Sequence, residues 1–179
     1  IGREDLRITW AFGHLANLKP PDGYDPALKR WALQPLPIVP TKFEVEVSGD
    51  DGARKQFRIV ADLLRSAERI VCATDAGREG ELIFRYILEL ADLEDREFER
   101  LWLNSMTPAA IRKAFGSLKP GSDYDPLFAA ARCRDRADWI IGINATRCYT
   151  VRHRAHGDVL WTIGRVQTPV LALVVERDD

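Results

Sequence analysis

No stretch of this chain approaches the roughly 18 consecutive apolar residues that a bilayer-spanning helix requires, although 46% of its 179 residues are apolar and 30% are charged. A soluble globular protein is expected, with one core, or with one domain and part of another. Cysteine is scarce: Cys72, Cys133 and Cys148 are odd in number and show no C-x-x-C spacing, which argues against a disulfide framework or a zinc site and suits a reducing cytoplasm. Net charge is nearly absent, at −1, unlike a protein dominated by nucleic-acid binding. A phosphate-cradling G-x-x-x-x-G-K-[ST] loop and a G-x-G-x-x-G dinucleotide fingerprint are both missing. So are internal repeats and low-complexity tracts. The chain opens at Ile1 without a cationic, apolar leader and closes on VVERDD, so an excised piece of a longer protein is expected.

The small net charge conceals an asymmetry. Between Arg132 and Arg165 stand Arg134, Arg136, Arg147, Arg152, Arg154, His153 and His156, against only Asp135, Asp138 and Asp158. From Glu89 to Glu99 the balance reverses, which reads as a solvated helix end and loop. LRITWAFGHLANL (6–18) alternates as a strand through Phe12 until Gly13 breaks it, leaving His14 on a loop. Pro20, Pro21, Pro26, Pro35, Pro37 and Pro40 rule out a regular element there and suggest an extended connection laid across a surface. FEVEV (43–47) reads as a short strand and SGDDG (48–52) as turn chemistry. IVADLLRSAE (59–68) has helical spacing, RIVCAT (69–74) is a buried strand, and residues 80–91 are again helical. RLWLN (100–104) reads as a strand, followed by a helix with Thr107 as N-cap and Pro108 in its first turn. This alternation implies an α/β fold, a parallel sheet with crossover helices. SLKPGSDYDP (117–126) is the best domain boundary, dividing residues 1–118 from 119–179. Beyond it, residues 127–152 read as one long helix or two joined near Gly142, and residues 163–178 end in an apolar run of uncertain type.

Where RIVCAT ends, the chain continues DAGREGE. Asp75 at the carboxyl end of a parallel strand faces the crevice where open α/β sheets bind ligands, and the following helix would aim its N–H groups and Arg78 at the same place. Carboxylates gathered there raise one another's pKa unless a cation balances them. Magnesium suits that task, because it takes one or two carboxylates, keeps several waters and leaves room for a phosphate oxygen. The plainer alternative is that Asp75 caps the helix while Glu79 and Glu81 favour its N-terminus.

DAGREGE resembles the Toprim acidic motif of type IA DNA topoisomerases, most closely the bacterial topoisomerase III branch, where D-x-D-R-E-G-E follows a central strand. Gly77 stands here in place of the second aspartate. ITWAFGHLANL with WALQPLPIVP resembles the family's G-H-L segment and its proline-rich continuation. RLWLNSMTPAAIRKAF resembles the end of the Toprim domain. ARCRDRADWIIGINATRCYT and TIGRVQTPVLALVVERD resemble the start of the neighbouring domain. These matches are collinear and cover nearly the whole chain.

The resemblance implies a Toprim-like parallel sheet with helices on both faces over residues 1–118, without the family's opening strand, followed by the start of a helical DNA-binding domain. It implies ATP-independent relaxation of negatively supercoiled DNA through a transient 5′-phosphotyrosine, with Mg²⁺ held by Asp75, Glu79 and Glu81, and with Glu79 and Arg78 as catalytic residues. DNA contacts are expected at His14, Arg134, Asp138, Thr162, Ile163, Gly164, Arg165, Val166 and Gln167. Arg134 would meet a phosphate with Asp138 orienting it; an ordinary surface ion pair is the alternative, as the two are four residues apart on a helix. None of Tyr24, Tyr86, Tyr124 or Tyr149 sits in the family's tyrosine motif, so this stretch alone is expected to be inactive. Implied partners are single-stranded segments of DNA and the remaining domains of the parent, with no membrane, in the cytoplasm beside a bacterial nucleoid. Rival readings are a Toprim nuclease or primase, which gives no reason for GHL and GRVQTP, and a non-catalytic DNA-binding module, which the missing aspartate favours. Of the five tryptophans, Trp10, Trp31, Trp102 and Trp139 are assigned to cores, and Trp161 to a possible base-stacking platform.

Overall fold

The computed structural model describes residues 5–154 and 159–178, in a mixed α/β arrangement. In order come β1 (Ala16–Leu18), α1 (Pro21–Tyr24), a 3-10 turn (Pro26–Lys29), β2 (Val45–Val47), α2 (Asp51–Ser66), β3 (Val71–Cys72), α3 (Arg78–Leu90) and β4 (Glu99–Arg100). Then follow α4 (Pro108–Phe115), β5 (Lys119–Pro120), a second 3-10 turn (Gly121–Tyr124), α5 (Asp125–Arg152) and α6 (Gln167–Asp178). One compact unit holds the residues up to Asn17 with Val45–Arg132, and a second holds Leu18–Glu44 with the residues from Cys133 onward, so the division falls within α5.

In the first unit β3 pairs with β4 in parallel, with α3 as the crossover, and β5 adds to β4 antiparallel. The sheet is therefore parallel only between β3 and β4, while β1 and β2 form a separate two-stranded ribbon. Its core gathers Leu15, Ala53, Val60, Leu64, Ile70, Cys72, Phe84, Ile87 and Leu88, each large side chain contributing about 1.5–3 kcal/mol by leaving water. Burial pushes the Cys72 thiol up, so it behaves as a small apolar side chain.

Helix α2 begins eight residues before the expected start. Asp50 Oδ1 accepts from the Ala53 N–H at 2.8 Å, so the SGDDG stretch, expected as a turn, caps and opens the helix. Thr107 caps α4 as expected, accepting from Ala110 N–H. Helix α3 ends in a Schellman arrangement, Leu93 N–H to Leu88 O at 2.9 Å and Asp92 N–H to Glu89 O at 3.2 Å, with Asp92 at φ 57° where glycine is the usual occupant.

Residues 6–12 do not form the expected strand. Ile8, Trp10 and Phe12 are exposed, so the alternation reports sidedness but no partner edge converts it into a ladder. Trp10 is accordingly not a core residue. The Gln56 side chain tethers this segment by donating to Trp10 O at 2.7 Å. A cavity of about 510 Å³ separates the segment from α2, β3 and α3, with Trp10, Val60, Ile70, Ile83 and Asp75 among its lining residues.

In the second unit the proline-rich segment is laid along α5. Trp139 meets Phe43 and Tyr24 edge-on and its Nε1–H donates to Lys19 O at 3.1 Å. The Asn144 side chain pairs with both backbone groups of Ile38, and Arg147 donates to Leu28 O while covering the Trp31 ring. Short helical turns occur even here, because Pro21 and Pro26 occupy first-turn positions where their fixed φ and missing N–H cost nothing. Helix α5 is a single helix through Gly142, and the final apolar run is α6.

Candidate active site and nucleic-acid interface

The acidic turn is locked from beneath. Gly80 packs against Asp75 so closely that a Cβ there would lie 2.2 Å from the Asp75 carbonyl oxygen; only glycine fits. Thr74 Oγ1 donates to Gly80 O at 2.7 Å, and the Gly77 and Glu81 N–H groups close the turn on Asp75 O and Gly77 O.

Arg100, fully buried at the end of β4, donates to the carbonyls of Cys72, Thr74, Leu101 and Asp75 and to Glu81 Oε2 at 3.0 Å. Its guanidinium also lies over the Trp102 ring, 5.2 Å from the centroid. Arg85 takes the other Glu81 oxygen at 3.0 Å and reaches Asp125 at 2.6 Å and the Gly121 carbonyl at 3.0 Å. Glu81 has no exposed surface and both its oxygens are committed to arginines. It therefore anchors the turn from inside and does not stand beside Asp75 and Glu79 as an open ligand.

Asp75, Arg78 and Glu79 are exposed. Gly77 is the N-cap of α3, with no side-chain capping bond, so Asp75 is not the cap that the plainer alternative supposed. The backbone at Gly77 is extended and a Cβ there would meet nothing within 4 Å, so nothing in the packing demands glycine where the motif carries a second acid. Half-buried His14, expected among DNA contacts, lies at this turn: its Nε2 is 2.5 Å from Glu79 Oε1. Among the described residues no three His, Cys, Asp or Glu side chains converge on a metal position. Two open carboxylates, Asp75 and Glu79, remain on the rim of the turn, a donor set that meets magnesium's need for one or two protein ligands plus water.

The second unit brings together Arg134, Asp138 and Arg165. Arg165 holds both Asp138 oxygens, at 2.6 and 3.3 Å, and Arg134 approaches Asp138 Oδ2 at 3.7 Å. Hydrogen bonding from Arg165 keeps the Asp138 carboxyl below its usual range. The connection before α6 is docked on α5 by hydroxyls: Thr146 Oγ1 accepts from Ile163 N–H at 2.9 Å and faces Ile163 O at 3.3 Å. Thr168 Oγ1 accepts from Gly164 N–H at 3.0 Å. Thr162, Arg165, Val166 and Gln167 are left exposed, with Ile163 and Gly164 half-buried.

Arg100, Arg85, Thr146 and Thr168 escaped sequence reasoning. The only trace of Arg100 is an arginine opening an apolar strand, which gives no hint of the glutamate it meets 19 residues away.

The Toprim domain model matches residues 1–106, and a DNA topoisomerase family model matches residues 122–179. DNA topoisomerase 3 of Bacillus cereus is 45% identical over 174 residues, covering 96% of this chain and 23% of that protein. The corresponding proteins of Staphylococcus epidermidis and Staphylococcus haemolyticus are each 42% identical, over 96% and 100% of this chain and 24% of their own length. The chain thus spans about a quarter of the relatives it matches. The Toprim domain model matches more than half of this chain, acidic turn included, and the DNA topoisomerase model follows it over the arginine cluster; the chain belongs to the Toprim domain family.

Proposed function

We propose that these residues form the acidic half of the cleavage site, and part of the strand-binding surface, of a type IA DNA topoisomerase that relaxes negatively supercoiled DNA without ATP. The turn from Asp75 to Glu81 carries this reading. It presents two carboxylates and an arginine on a backbone that Gly80, Glu81 and Arg100 hold rigid, and preorganisation of that kind is what charge stabilisation requires.

Toprim membership is consistent with a divalent metal, and Asp75 and Glu79 are the residues that would hold Mg²⁺. When bound, the ion would offset charge on the transferring phosphate. Arg78 opens α3, whose N-terminal N–H groups favour an anion, and is assigned to the scissile phosphate. Glu79 is assigned to the proton on the leaving 3′-oxygen. A tyrosine hydroxyl from the parent outside these residues attacks phosphorus and releases its proton to solvent, the P–O3′ bond breaks as Glu79 passes a proton to the leaving 3′-oxygen, and religation runs the same exchange backwards. In the second unit, Asp138 aims Arg134 and Arg165 at backbone phosphates, a task suited to their planar forks, and Gln167 meets a base edge or sugar. The functional boundary is placed between residues 118 and 119, in the interval that separates the two family matches. A cytoplasmic, nucleoid-associated setting follows from this reading.

The missing second aspartate favours one rival, a module that binds DNA without cleaving it. Relaxation of negatively supercoiled plasmid by the full-length parent, with Asp75→Ala beside the wild type, separates the two. Loss of relaxation with retained DNA binding supports the enzyme; unchanged relaxation leaves only the binding role.

A further inference from the structure

Three aromatic rings form a row in the second unit. The Tyr149 and His153 rings stand 5.9 Å apart between centroids, at 26°, and His153 is 5.6 Å from Trp161. Tyr149 stands in the last turn of α5 and His153 just past its end, where the His153 N–H still donates to Tyr149 O at 3.0 Å, so their spacing is set by the backbone. Trp161 arrives from the connection before α6. It is held there by its own N–H, which donates to Thr150 Oγ1 at 3.1 Å, and by the Ile163–Thr146 bond two residues further on. Yet Tyr149 remains 50% and Trp161 41% exposed. Rings recruited to a core lose nearly all their surface; Tyr149 and Trp161 keep about half of theirs, although helix α5 places the first and backbone hydrogen bonds hold the second. Their surroundings are cationic, with exposed Arg152 and Arg154 flanking His153 and exposed Arg165 four residues beyond Trp161.

We propose that Tyr149, His153 and Trp161 are a stacking platform for consecutive unpaired bases of a DNA strand, whose phosphates run past Arg152, Arg154 and Arg165. The proposal rests on the DNA-binding reading of this stretch and specifies the ligand further. Every base has a π-face, so the platform grips single strands with little sequence preference, and it has no hold on a stacked duplex.

Fluorescence anisotropy on the full-length parent tests it, using a labelled oligothymidylate and an equally long strand of abasic residues. Tyr149→Ala and Trp161→Ala should each weaken oligothymidylate binding about tenfold, while Tyr149→Phe and Trp161→Phe stay within about twofold of wild type. None of the four should alter the salt dependence, whereas Arg165→Gln should reduce its logarithmic slope by about 0.7. On the abasic strand, wild type and ring variants should bind with equal, lower affinity. Three results overturn the platform: alanine variants that bind oligothymidylate like wild type, an equal loss on the abasic strand, or phenylalanine variants as weak as alanine. Failure of the wild type to bind either strand overturns the DNA-binding reading as well. Both substituted rings are substantially exposed, so their removal opens no core, and a thermal unfolding midpoint for each variant checks this.

Discussion

Glu81 and Arg100, neither with any exposed surface, meet at 3.0 Å beneath the acidic turn, one from α3 and the other from β4. Arg100 carries four backbone carbonyls as well, so this pair joins the sheet to the turn that presents Asp75 and Glu79. Charge balance within the turn thus comes partly from protein. Glu81 is compensated by two arginines and Glu79 by His14 when protonated, and Asp75 is the acid left to solvent.

Removing one member of this pair should be costly. Arg100→Met leaves Glu81 with Arg85 as its remaining cation, one carboxylate oxygen and four carbonyls losing their donor, and is expected to lower the unfolding free energy by about 3 kcal/mol. Urea unfolding of Arg100→Met, Glu81→Gln and the double variant checks this; the double variant should cost clearly less than the sum of the singles. Simple additivity would show that the two side chains act independently.

The two glycines of the motif should respond in opposite ways. Gly80→Ala drives a methyl into the Asp75 backbone and is expected to abolish relaxation by the parent through displacement of the turn. Gly77→Asp enters open space on extended backbone, supplies a third open carboxylate, and should lower the Mg²⁺ concentration that supports half-maximal relaxation. A Gly77→Asp variant with an unchanged metal requirement would place the binding site elsewhere.

Glu79→Gln preserves shape while removing the charge and the proton transfer proposed for this residue. Turnover by the parent should fall by about 10²–10⁴-fold with little change in affinity for an oligonucleotide. A variant that relaxes DNA normally would remove Glu79 from the mechanism.

Asp138 has a depressed pKa because Arg165 hydrogen-bonds its charged form. Its folded-state value lies below the unfolded one, about 3.9. The stabilisation is therefore complete above that value and is lost as pH falls through the folded-state value. Both side chains are more than a third exposed, so solvent screening limits the effect to about 0.2–1 kcal/mol. The stability difference between wild type and Asp138→Asn should be measurable near about pH 6 and close in strong acid; a difference that widened on acidification would contradict the pairing.

Asp92 occupies the left-handed position that ends α3, where a side chain is disfavoured. Asp92→Gly is expected to stabilise the fold by about 0.5–1 kcal/mol, read as a shift of the urea midpoint. A destabilised variant would mean that the aspartate side chain makes a compensating contact.

Local chemistry made several features legible in the residues alone. Thr107 and Pro108 start α4, apolar spacing marks α3, and Gly80 within DAGREGE marks a turn at a strand's carboxyl end. The pairing of Arg134 with Asp138 follows from four-residue spacing, because helical geometry places both on one face. Other readings failed where a partner decides the outcome. Alternation over residues 6–12 describes a strand, but a ladder needs an edge to pair with. SGDDG has turn composition, yet Asp50 finds the α2 backbone and caps it.

By itself the sequence determined the helix, strand and helix order around the acidic turn, the place of that turn and the basic character of residues 132–165, because each depends on neighbours a few positions away. Only the tertiary structure decided which acids stay open. Glu79 and Glu81 are two residues apart and chemically alike, but α3 turns Glu81 inward onto Arg100 and Arg85 and leaves Glu79 outward beside His14. A buried carboxylate persists only where cations meet it, and those cations come from positions that no local pattern connects.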